Sequence, residues 1–407
     1  MLKWLLRPTV PKLPVFRALN RTERQILAEI TDHIELAAGQ TMIKEGEPTP
    51  SLWIIESGRV AVSKNTDHAE ENLTTLSEGA VLGELSLLDG QPASATVKAT
   101  QPTEALKIER ERLMDLRENH APTYYKIIRE VVRVMVERVR AMNARIRALR
   151  SDPSRTADLI QAHKRKGEVA GAGRGLMSLG ATPSGNSTPT RPKRRRSRAT
   201  GPIRVAVPRY ESVSGAAGIP ARGEWLERVP RFALMGRNMR LGLAGYLMEQ
   251  DYAANQSVCE ENDPGDCAFI VASGTVEVQK KLSTGEMRPI HTFGPGDMFG
   301  EMSLIDGGNR AATCIASSEA MLFSLPVRVF ERLLDESSPL AFRFLEIVAL
   351  DLSHRLRRAD DQFADIFSES DTEGIEARLD RVEARLHSGG TVEDSALAEA
   401  FMNLTLD

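Results

Sequence analysis

The chain has 407 residues, a formal net charge of −3, 41% hydrophobic and 27% charged residues. That is enough for two or three domains of soluble globular composition, which excludes a single small module and a disordered or fibrous polymer. No stretch approaches the roughly 18 uninterrupted apolar residues of a membrane span, and three cysteines (Cys259, Cys267, Cys314) are too few for a disulfide framework and lack the paired spacing of a zinc site, so a cytoplasmic protein without a metal is expected.

The apolar start, Trp4-Leu5-Leu6, is cut by Pro8, Pro11 and Pro14, so residues 1–15 read as an N-terminal segment and not as a signal peptide. A first unit then runs over 16–150. Gly39, Gly46 and Gly58 punctuate short β-rich runs at 52–55 and 59–62. A helix over about 124–150 closes the unit, with Val132, Val136, Val139, Asn143 and Ile146 recurring at spacings of three and four. Asn143 would set the register if that seam pairs with another helix.

Over 151–228 Gly, Pro, Ser, Thr and basic residues displace the apolar rhythm, predicting a flexible linker. Residues 161–210 hold 12 Lys or Arg against one acid, Glu168, and the densest run is Arg191-Pro192-Lys193-Arg194-Arg195-Arg196-Ser197-Arg198. Its plain reading is a solvated linker. Anionic lipid, nucleic acid or an acidic partner are the functional alternatives.

Over 229–367 the first unit recurs. At a shift of about 217, Gly79 falls on Gly296, Gly83-Glu84 on Gly300-Glu301, Ser86-Leu87 on Ser303-Leu304, Asp89-Gly90 on Asp306-Gly307, and Ala95-Thr96 on Ala312-Thr313. No gap is needed from 79 to 138. Upstream the shift is one residue smaller, placing Gly39 on Asn255 and Gly46 on Asn262; the change falls in the polar segment after Val62 and Val278, where a hairpin tip would absorb it. Asn is the residue that, after Gly, best tolerates positive φ, so both units need turns at the same places. Further β-rich runs lie at 268–271 and 275–278. A second long helix over about 340–367 carries Phe342, Leu345, Ala349, Leu352, Leu356, Ala359, Phe363 and Ile366 as a seam. The pattern predicts a mainly β protein with flanking α elements: two antiparallel β-rolls, each followed by a long helix. A short acidic, helical tail remains at 368–407, and 360–380 holds eight acids and one Arg.

Chemistry concentrates in Phe299-Gly300-Glu301-Met302-Ser303-Leu304, followed by Asn309-Arg310-Ala311-Ala312-Thr313. Glycine lets the backbone approach a ligand, a short helical turn offers N–H groups to an anion, and an arginine can complete a phosphate site. Glu301 would be wasted on an anion and suits a sugar hydroxyl. The combination reads as a ribose phosphate site.

At these residues both units, roughly 16–150 and 229–367, resemble the cyclic nucleotide-binding domain family through F-G-E-x-[SA]-L followed by R-[AS]-A-T. The resemblance implies an eight-stranded roll whose cassette, Phe299, Gly300, Glu301, Met302, Ser303, Arg310, Ala311 and Ala312, holds cyclic AMP or cyclic GMP. It implies Glu301 on the ribose 2′-hydroxyl, Arg310 on the cyclic phosphate, and Ser353 on the long helix facing the purine. Cyclic AMP is expected over cyclic GMP, because Ala311 offers no hydroxyl to guanine. The first unit keeps Gly83, Glu84, Leu85 and Ser86, but Ala93 stands where the second has Arg310, ahead of Ser94 and Ala95, and Val136 stands in place of Ser353. Losing the phosphate's cation costs about 1.5–3 kcal/mol, so this site is expected to be degenerate or weak. Lys98 would substitute only if it pointed into the pocket.

The seven histidines are scattered and no nucleophile motif accompanies them, so no enzyme is expected. About 40 residues follow Phe367, fewer than the roughly 60–70 of a catabolite-activator helix-turn-helix, which argues against sequence-specific DNA binding. A tandem without an output domain is similar in outline to the regulatory subunit of the cyclic AMP-dependent protein kinase. Here, however, Arg194-Arg195-Arg196-Ser197 lies between the units and is followed by Arg198. The expected function is a non-enzymatic receptor, without a cofactor, that regulates an unidentified protein partner through ligand-dependent helix movement. Its seam is long enough to pair with a second copy of the chain or with the first unit. A structural scaffold of two ligand-free rolls, and a kinase-inhibiting subunit, are the alternatives.

Overall fold

A computed structural model describes residues 10–65, 70–151, 218–233, 235–281 and 287–368, with Arg381, Ala384 and His387. The basic run, most of the expected linker and most of the acidic tail lie outside the described residues. No helix among the described residues is long and apolar enough to cross a membrane.

Helix α1 (Arg21–Glu29) opens on a capping box in which Asn20 accepts from the Glu23 backbone and Glu23 accepts from that of Asn20, so the chain fixes this terminus locally. Strands β1 to β8 follow: Asp32–Leu36, Thr41–Ile43, Ser51–Ser57, Arg59–Asn65, Glu70–Ser77, Val81–Leu82, Thr96–Ala99 and Thr103–Glu109. Helix α2 (Glu84–Asp89) interrupts them after β6, and α3 (Arg110–Asn119) and α4 (Ala121–Ser151) end the unit. After α5 (Gly218–Arg228), α6 (Pro230–Ala233) and α7 (Arg237–Tyr246), the plan repeats. Strands β9 to β16 are Met248–Tyr252, Ser257–Cys259, Cys267–Ser273, Val276–Lys281, Met287–Phe293, Met298–Phe299, Thr313–Ala316 and Ala320–Pro326. Helices α8 (Glu301–Asp306), α9 (Val327–Asp335) and α10 (Pro339–Ser368) complete it. Pro122 and Pro339 sit in the first turns of α4 and α10, where a missing N–H leaves no bond unmade.

Each unit is a roll of two antiparallel four-stranded sheets. The first has strand orders β1-β8-β3-β6 and β2-β7-β4-β5; the second has β9-β16-β11-β14 and β10-β15-β12-β13. Position for position the orders are the same. Asn255 and Asn262 adopt φ of 66° and 73°, against 86° and 78° for Gly39 and Gly46, as the repeat alignment requires. Each roll interior is a separate apolar cluster, around Ile55, Val60 and Ala105 in one and Val271, Val278 and Leu322 in the other.

A third, larger core joins the two units. Helices α4 and α10 pack on each other, and each also packs on the short helix of the opposite roll, α4 on α8 and α10 on α2. Val132, Val136, Val139 and Ile146 on one seam and Leu345, Ala349, Leu352 and Ala359 on the other are fully covered. Tyr125 and Phe342, equivalent positions of the two repeats, stack on each other with centroids 3.9 Å apart and planes 9° from parallel. Equivalent residues meet in this way on a pseudo-two-fold axis. The tandem is arranged as a symmetric pair within one chain.

Of the two partners left open for the seam of the second long helix, its described residues from Phe342 to Ala359 meet the first repeat, since a tethered partner is present at high effective concentration. Two further expectations need correction. The C-terminal end of the expected flexible linker, 218–228, is helix α5: it packs on α7, Leu226 is fully buried, and the Trp225 ring meets Phe323 edge-on at 5.2 Å. At the other end, Val10, Leu13 and Val15 of the expected N-terminal segment are buried in the shared core, so that part of 1–15 belongs to the first unit.

Candidate functional site

The second cassette starts where β14 ends. Gly300 takes φ of 76°, and a Cβ there would lie 2.5 Å from the Arg310 guanidinium and 3.1 Å from the Cys267 carbonyl, so any other residue displaces the arginine. The turn sends Glu301 into the core at 1% exposure. Arg355 of α10 donates to its carboxylate at 2.8 Å and to the Met298 carbonyl at 3.2 Å. Arg355 also pairs with Asp351 at 2.6 Å, and Arg231 of α6 reaches Asp351 at 3.4 Å and Asp297 at 3.7 Å. Burial pushes the Glu301 carboxyl above its ordinary range, and the charge of Arg355 opposes that shift.

Arg310 is 5% exposed. It donates to the Cys267 carbonyl at 2.6 Å and to Asp266 at 3.0 Å, and lies 5.3 Å from the centroid of the Phe269 ring. The Asp266 side chain is 85% exposed, so a buried cation is neutralised by an acid that water already solvates. An arriving anion would displace this carboxylate at small cost, since Asp266 can turn to solvent. The segment carrying Asp266 rests on the cassette: a Cβ on Gly265 would meet Ser303 at 2.1 Å, and Pro264 bridges Asn309.

Cys267 touches this arginine, and the charge of Arg310 also reaches Cys259 and Cys314. Cys267 Sγ lies 3.4 Å from an Arg310 nitrogen, and burial pushes its pKa to about 12. Cys259 and Cys314 face each other across β10 and β15, and a hydrogen bond from Cys314 lowers the Cys259 pKa.

The first cassette has the same frame. Gly83 takes φ of 73°, a Cβ there would meet the Ser51 carbonyl at 2.3 Å, and Glu84 is 1% exposed. Arg138 of α4 donates to Glu84 and to the Val81 carbonyl, the counterparts of Glu301 and Met298. Leu85 and Ser86 are buried beside it, Ser94 and Ala95 partly so, and Ala93 supplies no charge. Lys98 is exposed and does not point into the roll. Trp53 replaces Phe269, its indole nitrogen buried without a hydrogen-bond partner among the described residues.

The fold thus strings Phe299 at the end of β14, Gly300 at the turn and Glu301, Met302 and Ser303 on α8, and returns Arg310 from the loop after α8 to lie against Gly300, with Ala311 and Ala312 following. Ser353 is fully buried on the seam, where its hydroxyl donates to the Leu350 carbonyl at 2.8 Å within its own helix. Arg355, Arg138 and Asp266 belong to the site without any motif in the sequence marking them. The two arginines carried a signal: they are the same residue type at the repeat spacing, 138 being the last position of the ungapped match.

The cyclic nucleotide-binding domain family matches residues 33–120 and 249–337, and the chain therefore carries two such domains in tandem. A CRP-like cAMP-activated global transcriptional regulator of Mycobacterium tuberculosis is 27% identical over 124 residues, 30% of this chain and 54% of that protein. A cAMP-dependent protein kinase regulatory subunit of Aspergillus fumigatus is 34% identical over 110 residues, 27% of this chain and 26% of the fungal protein. The chain thus spans about half the length of the first relative and a quarter of the second. Among solved structures, the regulatory domain of Toxoplasma gondii PKA with cAMP aligns at 16% identity over 80% of this chain and 88% of that one, with a TM-score of 0.28.

Proposed function

We propose that this protein is a non-enzymatic, cytoplasmic receptor for a cyclic nucleotide, preferably cyclic AMP, which binds the second roll and regulates a partner protein. The observation that carries the reading is Arg310, a buried cation whose acid partner, Asp266, is on the surface and replaceable by a phosphate, nine residues after a buried glutamate suited to a ribose hydroxyl. Two of its relatives, a cAMP-activated transcriptional regulator and a cAMP-dependent protein kinase regulatory subunit, support the ligand class. In this reading Glu301 exchanges part of its bond with Arg355 for the ribose, and α10, which carries Arg355 and Ser353, shifts with occupancy. That shift is no larger than the ligand's differential affinity for the two helix positions. The units are the domains 10–150 and 218–367.

Calorimetric titration of the whole chain with cyclic AMP should give one tight site, and Arg310→Ala should weaken it at least tenfold. Equal affinity of the variant and the parent would sink the assignment, and tighter binding of cyclic GMP would reverse the preference.

A further inference from the structure

The second cassette is held by a residue of the first repeat. Arg140 on α4 grips Asp306 at the end of α8 with both ends of its guanidinium, Nε to Oδ2 at 2.6 Å and Nη2 to Oδ1 at 3.0 Å. Its third donor, Nη1, reaches the Asn309 carbonyl at 2.9 Å. That carbonyl belongs to the peptide unit whose N–H is the Arg310 amide, and the Arg310 amide donates to the Asp263 carbonyl at 2.8 Å. Both polar atoms of the peptide that leads into Arg310 are therefore pinned, one from each repeat. The space around the clamp is filled as well: a Cβ on Gly308 would lie 2.7 Å from Arg140 Nη2.

We propose that Arg140 is a positioning residue for the second site: it orients the backbone from which Arg310 projects, so that the first repeat, without a cassette arginine of its own, completes the site of the second. The inference rests on the reading of that cassette as a cyclic nucleotide site. Its mirror image supplies a control. Arg357 on α10 grips Asp89 at 2.6 and 2.9 Å and the Pro92 carbonyl at 2.8 Å, the same clamp on a cassette where Ala93 follows. Both pairs join the repeats, but one alone leads into an arginine.

The experiment uses the whole chain and cyclic AMP. Arg140→Ala should weaken binding about tenfold, the effect of one charge-assisted contact, Arg140→Lys should recover part of it, and Arg357→Ala should stay within about twofold of the parent. Because Arg140 acts through Arg310, the double variant Arg140→Ala/Arg310→Ala should bind no more weakly than Arg310→Ala. Without nucleotide, amide exchange over 307–311 should rise in Arg140→Ala and not in Arg357→Ala. Unchanged exchange over 307–311, or losses from Arg140 and Arg310 that add independently, would overturn the clamp. A parent chain that takes up no cyclic nucleotide would overturn the functional reading instead, and the exchange comparison would still decide whether Arg140 orders the cassette.

Discussion

Gly83 and Gly300 turn the chain at φ of 73° and 76° into short helices whose glutamates are both 1% exposed and both held by an arginine of the following long helix. Around that shared frame the chemistry diverges. Ala93, Trp53 and Val136 in the first roll stand where the second has Arg310, Phe269 and Ser353, and the second roll alone has cysteines, at the places of Ile43, Ser51 and Val97. The buried glutamate and its arginine belong to the architecture of the roll, since they remain in the unit where an alanine replaces the buried Arg310. Ligand chemistry is a smaller and separable set of residues laid on top.

The largest expected effect tests that division. Arg355→Ala leaves the carboxylates of Glu301 and Asp351 buried without their main cation and should cost about 3–5 kcal/mol in urea unfolding. Arg138→Ala should cost less, because the Arg138 side chain is 30% exposed against 2% for Arg355 and water replaces part of what is lost. Equal losses would mean that solvent access does not distinguish the two frames.

If the rolls differ mainly in their arginine, Ala93→Arg should raise the stoichiometry of cyclic AMP from one to two per chain and strengthen the first site by at least tenfold. A stoichiometry still at one would shift the weight of the difference onto Trp53, which fills the position of Phe269. The helices offer a milder test. Asn143 is 3% exposed with neither amide atom bonded among the described residues, while the equivalent position of α10 is Asp360. Asn143→Leu should therefore stabilise the chain by about 1 kcal/mol, read as a higher urea midpoint. Destabilisation would show that the amide has a partner in solution.

The smallest effect is on reactivity. Cys259 is partly exposed and its pKa is lowered by the Cys314 hydrogen bond, whereas Cys267 and Cys314 are buried. Iodoacetamide should mark Cys259 first, as mass spectrometry of peptides would reveal, and bound cyclic AMP should slow that labelling if the ligand covers the Arg310 side of the roll.

The repeat, the two rolls and the cassette segments are legible along the chain before it folds. Each is written in local patterns: turn glycines with asparagines replacing them at positive φ, short β-rich runs, and a run of residues whose types suit a ribose phosphate. The sequence also determined that one cassette lacks a cation, since an alanine carries no charge in any fold. What it left undecided were contacts between residues far apart in the chain. The seams of α4 and α10 announced a partner without saying which, because an apolar stripe specifies only that something must cover it. Lys98 had a face that strand alternation did not settle, and Asp266 had no mark beyond being an acid in a loop. These follow from three-dimensional packing, which sets the two long helices about a pseudo-two-fold axis. That packing delivers Arg355 and Arg138 to the glutamates of their own rolls, and Arg140 and Arg357 to the cassettes of the other.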